Sequence, residues 1–145
     1  MKCTTVIDPN REEEILIYAH KRNALTDQIE ALAQKSTAEI VGYNDKQIAP
    51  LQPSDVTCFT VEDGRVFALT RTARWQIRER LYALEERLGN DFVRINQSCI
   101  ANIKEILRFA ASIGGSLLVF FKNGHRDYVS RRQLKIVKER IGFRL

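Results

Sequence analysis

The sequence predicts a mostly β protein with short helices. Two turn signals carry this prediction, because Asp63-Gly64 and Asn123-Gly124 each stand between two β-prone runs, an arrangement typical of β-hairpins. Apolar residues recur at helical spacing in only three short stretches. A chain of 145 residues with 44% hydrophobic content can bury one compact core and carry a small appendage.

The first 37 residues are predicted to form a small β-β-α extension. Cys3–Ile7 has the pattern of a short strand and ends at the turn signal Asp8-Pro9-Asn10. β-branched and aromatic residues favour a second strand over Glu14–His20, where the start of a helix is the alternative. Apolar residues at helical spacing predict an amphipathic helix over Asn23–Lys35.

Residues 38–145 are predicted to form a second unit made mainly of strands. Five short strands come first, over Glu39–Tyr43, Gln47–Leu51, Val56–Val61, Val66–Thr70 and Arg74–Ile77. A helix follows over Ile77–Leu88, because its leucines share one face and Gly89-Asn90 is a typical C-terminal stop. The last third holds strands over Ile106–Ser112, Ser116–Phe121 and His125–Val129 and a helix over Arg131–Ile141. Between residues 92 and 106, small and polar residues interrupt the apolar pattern, and no element is assigned there.

Positive charge is concentrated near the C-terminus. Residues 1–44 carry a net charge of −2, whereas residues 45–145 carry +7. Within the second part, residues 122–145 hold eight basic residues against Asp127 and Glu139, a net charge of +6. A localised basic surface suits a polyanionic partner, because each neutralised phosphate releases condensed counterions. A solvated helix face is the alternative that charge alone leaves open.

The sequence lacks the common signatures of catalysis and of cofactor binding. No phosphate-binding glycine loop, zinc-protease helix or nucleophile elbow is present, so we expect no enzyme, cofactor or small-molecule substrate. The cysteines, Cys3, Cys58 and Cys99, are widely spaced and accompanied by two histidines, which argues against disulfides and a metal site. No signal sequence or membrane-length apolar run is found, so we expect a cytoplasmic protein.

Two polar segments are candidates for recognition of a partner. The first contains Asn96-Gln97-Ser98 between apolar anchors, and the second is Ser130-Arg131-Arg132. Ser130 is a suitable helix N-cap, which would place both arginines in the first turn, where cations oppose the helix dipole. DNA would favour them there, since arginine can pair with guanine and asparagine or glutamine with adenine. The alternatives are surface ion pairs with Glu139 or Asp127, and a turn capped by Gln97 and Ser98.

These segments also carry a family resemblance. The pattern Phe92-x-Arg94-x-Asn96-x-Ser98-x-Ile100-x-Asn102, followed by Val119–Phe121, Asn123-Gly124 and Val129-Ser130-Arg131-Arg132, resembles the LytTR DNA-binding domain of bacterial response regulators. The resemblance runs from about residue 38 to the C-terminus. It implies a LytTR-type β-strand domain over residues 38–145 whose loops enter successive major grooves, unlike a helix-turn-helix protein.

The resemblance also implies roles for individual residues. The base-reading arginine of the family falls on Arg132, and a third reading loop falls near Arg65. A second loop falls on Asn96-Gln97-Ser98, where the family often has His-Asn or His-Arg. The implied phosphate contacts are Ser130, Arg131 and Lys135. Asn102 is expected to hold a loop rather than to touch DNA.

The resemblance further implies a stand-alone regulator that binds two half-sites as a homodimer. The 37 residues of the extension are too few for a phospho-accepting receiver domain. Such regulators are often encoded beside a small membrane protein that restrains them. The extension is therefore expected to serve dimerisation or partner docking, with cover for one sheet edge as the alternative. A basic module for RNA or an acidic protein is the rival function, with Tyr128 as its candidate for base stacking.

Overall fold

The computed structural model describes residues 1–37 and 39–142. In that part of the chain the elements are α1 Ala24–Thr37, β1 Ile40–Asn44, β2 Gln47–Leu51, β3 Val56–Glu62, β4 Arg65–Thr70, β5 Arg74–Ile77, α2 Leu81–Arg87, β6 Phe92–Asn96, β7 Cys99–Asn102, β8 Ile106–Ala111, β9 Leu117–Phe121, β10 Arg126–Val129 and α3 Leu134–Ile141. Short 3-10 turns at Pro53–Asp55 and Ile103–Glu105 lead into β3 and β8. The fold is mostly β, as the sequence predicts.

The strands form two antiparallel sheets. The larger sheet has seven strands in the order β2-β1-β5-β4-β3-β7-β6, and the smaller has three in the order β10-β9-β8. Most neighbouring strands are consecutive in sequence, but β5 lies between β1 and β4, and β7 lies beside β3. This order brings β3 next to β7, and that pairing brings together two of the loops described below.

Two hydrophobic clusters cover opposite faces of the larger sheet. Side chains alternate along β3, so Phe59 and Cys58 point to different faces. Phe59 packs with α2, through Leu81 and Leu84, in the first cluster. Cys58 lies in the second cluster, whose other members come from β6, β7, the three-stranded sheet and α3: Val93, Ile95, Cys99, Ala101, Leu117, Val119, Phe121, Val129 and Val137. The smaller sheet and α3 are thus held against one face of the larger sheet by burial of apolar surface.

The predicted hairpins are confirmed. β3 and β4 pair in register from Glu62↔Arg65 and Val61↔Val66, and the two turn residues have positive φ, 51° at Asp63 and 74° at Gly64. Positive φ at both central positions is the geometry that matches the twist of the flanking strands. Two predicted strands, Gln47–Leu51 and Arg74–Ile77, agree with the structure at both ends.

The extension differs from its prediction. The helix forms as α1, and Asn23 and Thr26 cap it reciprocally: Thr26 N donates to Asn23 Oδ1 at 3.0 Å and Asn23 N donates to Thr26 Oγ1 at 3.1 Å. The two predicted strands, Cys3–Ile7 and Glu14–His20, do not form. Both segments are exposed, and a strand is not stable without a neighbour to pair its backbone groups.

Other elements also differ from the predictions. β6 and β7 lie in the stretch to which the sequence assigned no element. α2 begins at Leu81 rather than Ile77, because Ile77 pairs in β5 with Val66 and Gly42. α3 begins at Leu134 rather than Arg131, and its Val137 is buried in the second cluster.

Candidate nucleic-acid interface

Three loops meet at one end of the larger sheet. The β3–β4 turn and the β6–β7 turn are neighbours because β3 pairs with β7, and Val61 N donates to Ser98 O at 2.8 Å. The segment between β10 and α3 lies on the other side of the β6–β7 turn, since Ser130 N donates to Ile95 O at 2.9 Å. We call this surface the three-loop face; it comprises Arg65, Gln97, Ser98, Ser130, Arg131 and Arg132.

The β6–β7 turn is built around the side chain of Asn96. This residue is only 2% exposed. Its Nδ2 donates to Asp127 Oδ1 and to Tyr128 O, both at 2.8 Å. Its Oδ1 accepts from Ser98 N at 2.8 Å. The amide of Asn96 is therefore fully used inside the protein, in contrast to the exposed Gln97 and Ser98 beside it.

Arg94 binds the backbone carbonyls of the same turn. Its Nε donates to Asn96 O at 2.8 Å and its Nη2 donates to Gln97 O at 2.7 Å. A third bond, from Nη1 to Glu85 Oε2 at 2.8 Å, fixes the guanidinium to α2. The sequence pattern includes Arg94, but no role was assigned to it. The sequence signal for this role is an arginine just before a polar turn, because its guanidinium can donate to two successive backbone carbonyls.

A charged network lies beneath the turn. His125 Nε2 lies 3.9 Å from Asp127 Oδ2. The nearby Asp127 carboxylate, and then the Cys58 thiol, raise the pKa of His125 to about 10. Burial acts to raise the pKa of Asp127, but His125, the Tyr128 amide and Asn96 stabilise the carboxylate and lower that pKa overall. The network therefore holds a charged pair under Asn96 at neutral pH.

The two buried cysteines take part in this network. Cys58 and Cys99 lie on paired strands, where Thr60 is opposite Cys99 and Ala101 is opposite Cys58. A hydrogen bond from the Cys99 thiol, together with His125, lowers the pKa of Cys58 to about 7. The same contact and burial raise the pKa of Cys99. Cys99 is buried, as unpaired cysteines usually are.

The segment between β10 and α3 corrects the prediction of a helix N-cap at Ser130. The N-cap position is Gln133, which makes no side-chain cap hydrogen bond. Ser130 is instead tied to β6 by its backbone N–H, and its carbonyl accepts from Gln133 N at 3.1 Å in a separate turn. Arg131 and Arg132 therefore lie in that turn, before the helix and outside its first turn.

The basic residues predicted to contact DNA fall into two groups. Arg131 donates from Nη2 to Gly114 O. Arg65, Arg132 and Lys135 are exposed, and no hydrogen bond or ion pair joins their side chains to other residues in the described part of the chain. The alternative ion pairs of Arg131 or Arg132 with Asp127 or Glu139 do not occur there.

Two residues outside this face hold neighbouring loops. Asn102 is buried, its Nδ2 donates to Val56 O at 2.9 Å, and its Oδ1 accepts from Lys104 N at 3.1 Å. The prediction that Asn102 holds a loop is confirmed. Arg140 donates to the carbonyls of Asn90 and Phe92, both at 2.8 Å, which fastens α3 to the start of β6.

Within residues 1–37 and 39–142, neither a metal site nor a membrane-spanning helix is found. No group of three or more His, Cys, Asp and Glu side chains in that part of the chain is arranged to hold a metal ion. Every helix there is too short or too polar to serve as a membrane span.

The fold and the three-loop face define a class of protein. It is a β-sheet domain that presents arginine and amide side chains from loops at one end of the sheet. In the described residues, strands separate each helix from the next, so no adjacent helix pair forms the helix-turn-helix arrangement. The loops therefore present exposed polar side chains together at one end of the sheet.

Comparison with known proteins identifies the family within this class. A profile of the LytTr DNA-binding domain matches residues 46–142. An uncharacterized HTH-type transcriptional regulator of Staphylococcus aureus strain bovine RF122 / ET3-1 is 35% identical over 97% of this chain and 98% of its own length. A similarly described protein of strain NCTC 8325 / PS 47 is 34% identical over the same shares. The chain belongs to the LytTR family of DNA-binding domains.

A solved structure agrees with this assignment at the level of the fold. The LytTr DNA-binding domain of a Bacillus cereus protein superposes with a TM-score of 0.69 and 20% sequence identity. The match covers 98% of that domain and 73% of this chain.

Proposed function

We propose that the protein is a transcriptional regulator that reads double-stranded DNA sequence in successive major grooves through the three-loop face, and that it binds as a homodimer. DNA binding itself follows from membership of the LytTR family. The observation that carries the finer proposal is the meeting of three loops whose exposed side chains are largely unpaired. We also propose that the protein acts in the cytoplasm, where bacterial DNA lies.

The proposal assigns base reading to Arg132 and Gln97. Both are exposed and free to form the bidentate pairs that these side chains make with guanine and adenine. Arg65, at the start of β4, is the third reading residue. Asn96 leaves the set of base contacts inferred from the sequence, because its amide is buried and already paired with Asp127, Tyr128 and Ser98.

Phosphate contacts are assigned to Ser98, Ser130 and Lys135. Ser98 and Lys135 are exposed and Ser130 is half-buried, and all three lie beside the reading residues. Hydroxyl and ammonium groups suit phosphate oxygens, which fix the register of a protein on the duplex without reading its sequence. Their loss should weaken binding to all sequences about equally.

The extension, residues 1–37, is assigned to contact with a second copy of the chain. It leaves a set of large apolar side chains exposed: Val6, Ile7, Ile15, Leu16, Ile17, Tyr18, Leu25 and Leu32. Exposed apolar surface of this extent is typical of an interaction site. A small membrane protein that restrains the regulator is the alternative occupant. Sedimentation of the purified protein separates these, because a homodimer needs no other component.

Fluorescence anisotropy with duplex DNA tests the proposal. Log K should fall steeply and linearly with log salt concentration, since phosphate contacts release counterions. Arg132→Ala should also reduce discrimination at one base pair by about 1–3 kcal/mol. Lys46→Ala is the matched control: Lys46 is exposed in the β1–β2 turn, at the opposite end of the larger sheet from the three-loop face. Tighter binding to single-stranded RNA of matched length than to any duplex would contradict the proposal and favour the rival RNA module.

A further inference from the structure

Arg131 is fastened to the turn between β8 and β9. Its Nη2 donates to Gly114 O, and its guanidinium lies against Gly115. A β-carbon added to Gly115 would lie 3.1 Å from Arg131 Nε and 3.4 Å from Nη2. Gly115 thus leaves the space that the guanidinium occupies, and the contact joins two segments that are distant in sequence.

The β8–β9 turn is itself closed by hydrogen bonds. Ser112 N donates to Ser116 O at 3.2 Å, and Ser112 Oγ donates to the same carbonyl at 2.6 Å. Gly114 and Gly115, with φ of 97° and 89°, form its tip. The turn therefore offers Arg131 a defined support.

The segment that carries Arg131 is fixed on its other side as well. Ser130 N donates to Ile95 O at 2.9 Å, which ties the segment to β6. Arg131 therefore lies between two anchors, β6 and the β8–β9 turn. Arg132 follows directly, and its side chain projects without a partner among the described residues.

We propose that Arg131 is a positioning residue, which fixes the direction of Arg132 by fastening the Ser130–Arg132 segment to the Gly114–Gly115 turn. This inference rests on the proposed function, since Arg132 is the base-reading residue there. It replaces the phosphate contact inferred for Arg131 from the sequence.

The two roles predict different salt dependence. A phosphate contact adds about one unit to the slope of log K against log salt, so its loss reduces the slope by about 0.9. A positioning residue leaves the slope unchanged. Its loss instead lowers affinity for the preferred duplex and reduces base discrimination, by roughly five- to hundredfold if the Arg132 contact is lost fully.

The glycine pair supplies a matched test that keeps the charge of Arg131. Gly115→Ala and Gly114→Ala impose the same strain of positive φ, but only a β-carbon at Gly115 meets Arg131; at Gly114 it meets open space. We expect Arg131→Ala and Gly115→Ala to reduce discrimination to a similar extent, and Gly114→Ala to reduce it much less. Arg131→Ala should add little in an Arg132→Ala background, because both act on one contact.

Equilibrium binding over a salt series, with thermal unfolding to compare the fold of each variant, decides between the roles. Two results together would overturn the positioning role. In Arg131→Ala the slope of log K against log salt would be reduced by about one unit, and Gly115→Ala would reduce base discrimination no more than Gly114→Ala does. Backbone amide NMR of the free protein provides an independent readout. If Arg131→Ala leaves the Gly114, Gly115 and Arg132 signals unchanged, the inference fails even when the wild type binds DNA. If those signals shift in Arg131→Ala but the wild-type protein does not bind duplex DNA, the proposed function fails instead.

Discussion

At the scale of single residues, the amide of Asn96 determines the shape of the β6–β7 turn. Its two N–H donors and its carbonyl connect Asp127, Tyr128 and Ser98 in one buried site. A side chain with both donor and acceptor capacity is needed there, since a carboxylate has no N–H and an aliphatic side chain has neither. The exposed Gln97 depends on this buried neighbour for its position.

Replacing Asn96 by alanine should therefore destabilise the protein. Loss of the amide removes the partner of Tyr128 O and of Ser98 N and one of the two hydrogen bonds to Asp127 Oδ1, and we expect the free energy of unfolding to fall by about 1–3 kcal/mol. Urea denaturation measures this change. Gln97→Ala is the control, because it removes an exposed amide from the same turn and should change stability by less than about 0.5 kcal/mol. Equal effects of the two substitutions would contradict the assigned role of Asn96.

The charge on His125 predicts a pH dependence of stability. The pKa of His125 is raised from 6.5 to about 10 in the folded protein, so the folded state binds the proton more tightly than the unfolded state. Its contribution is fully present below pH 6.5 and is lost as the pH rises through about 10. Urea denaturation at several pH values between 6.5 and 10 measures this loss.

The control for this experiment is His125→Gln, which should remove most of that decline. Both proteins are compared in a Cys58→Ala background, because the pKa of the Cys58 thiol is lowered to about 7 and contributes with the opposite sign. Asp127, the larger cause, still raises the pKa of His125 in that background, but the loss of Cys58 should make the decline end at a lower pH. A decline that persists unchanged in His125→Gln would show that another group causes it.

The sequence was informative about which residues lie near the site, and less so about which way they point. The family pattern drew attention to Asn96 and Gln97 together, yet one is buried and the other exposed. The difference depends on Asp127, 31 residues later in the chain. Arg131 was likewise grouped with Arg132, because nothing local indicates that Gly114 accepts its hydrogen bond.

At the scale of elements, the Asp-Gly and Asn-Gly hairpins were the parts most accessible to sequence reasoning. The Asp63-Gly64 turn is a local signal, since its backbone conformation alone selects the residues. β6 and β7 were missed because Asn96 and Asn102, polar residues that usually mark loops, are buried and satisfied by distant groups. The insertion of β5 between β1 and β4 has no local signal either.

Gly42 in β1 offers a test of element packing. An added β-carbon would lie 2.8 Å from both Leu51 Cδ1 and Trp75 Cβ. Alanine normally stabilises a strand relative to glycine. At this position the added β-carbon would lie too close to Trp75 Cβ, which is bonded to the backbone of β5, so relieving the overlap would require a costly shift of that strand. We expect Gly42→Ala to lower the free energy of unfolding by about 1–3 kcal/mol, measured by thermal or urea denaturation. Val41→Ala, at the exposed neighbouring position, should change it by less than about 0.5 kcal/mol.

At the scale of the whole molecule, the chain has two parts with different surfaces. Residues 1–37 expose apolar side chains, whereas the strands from β1 onward bury many of theirs in two clusters. The predicted strands of the extension do not form in the single chain, and the extension has apolar residues available for a partner. The boundary near residue 37 remains a prediction, and the match to the Bacillus cereus domain, over 73% of the chain, is compatible with it.

Polar substitutions in the extension should separate dimerisation from folding. Ile15→Asp with Leu16→Asp should convert the protein to a monomer in sedimentation velocity, because charge opposes burial of that surface. Thermal unfolding of the β-domain should be unchanged, and affinity should fall for a duplex with two half-sites more than for a single half-site. Ile48→Asp, at an exposed apolar position of β2, is the control. An unchanged sedimentation coefficient in the double variant would contradict the role of the extension.

The distance along the chain between Asn96 and its partners has a consequence for protein synthesis. The ribosome makes the β6–β7 turn 31 residues before it makes Asp127. Until β10 has left the exit tunnel, the turn lacks Asp127 and Tyr128, two of the three groups that Asn96 bonds. Arg132, three residues after the end of β10, is then still inside the ribosome as well. A nascent chain therefore cannot present a complete three-loop face while β10 is still inside the ribosome, even though its first hairpins can already pair.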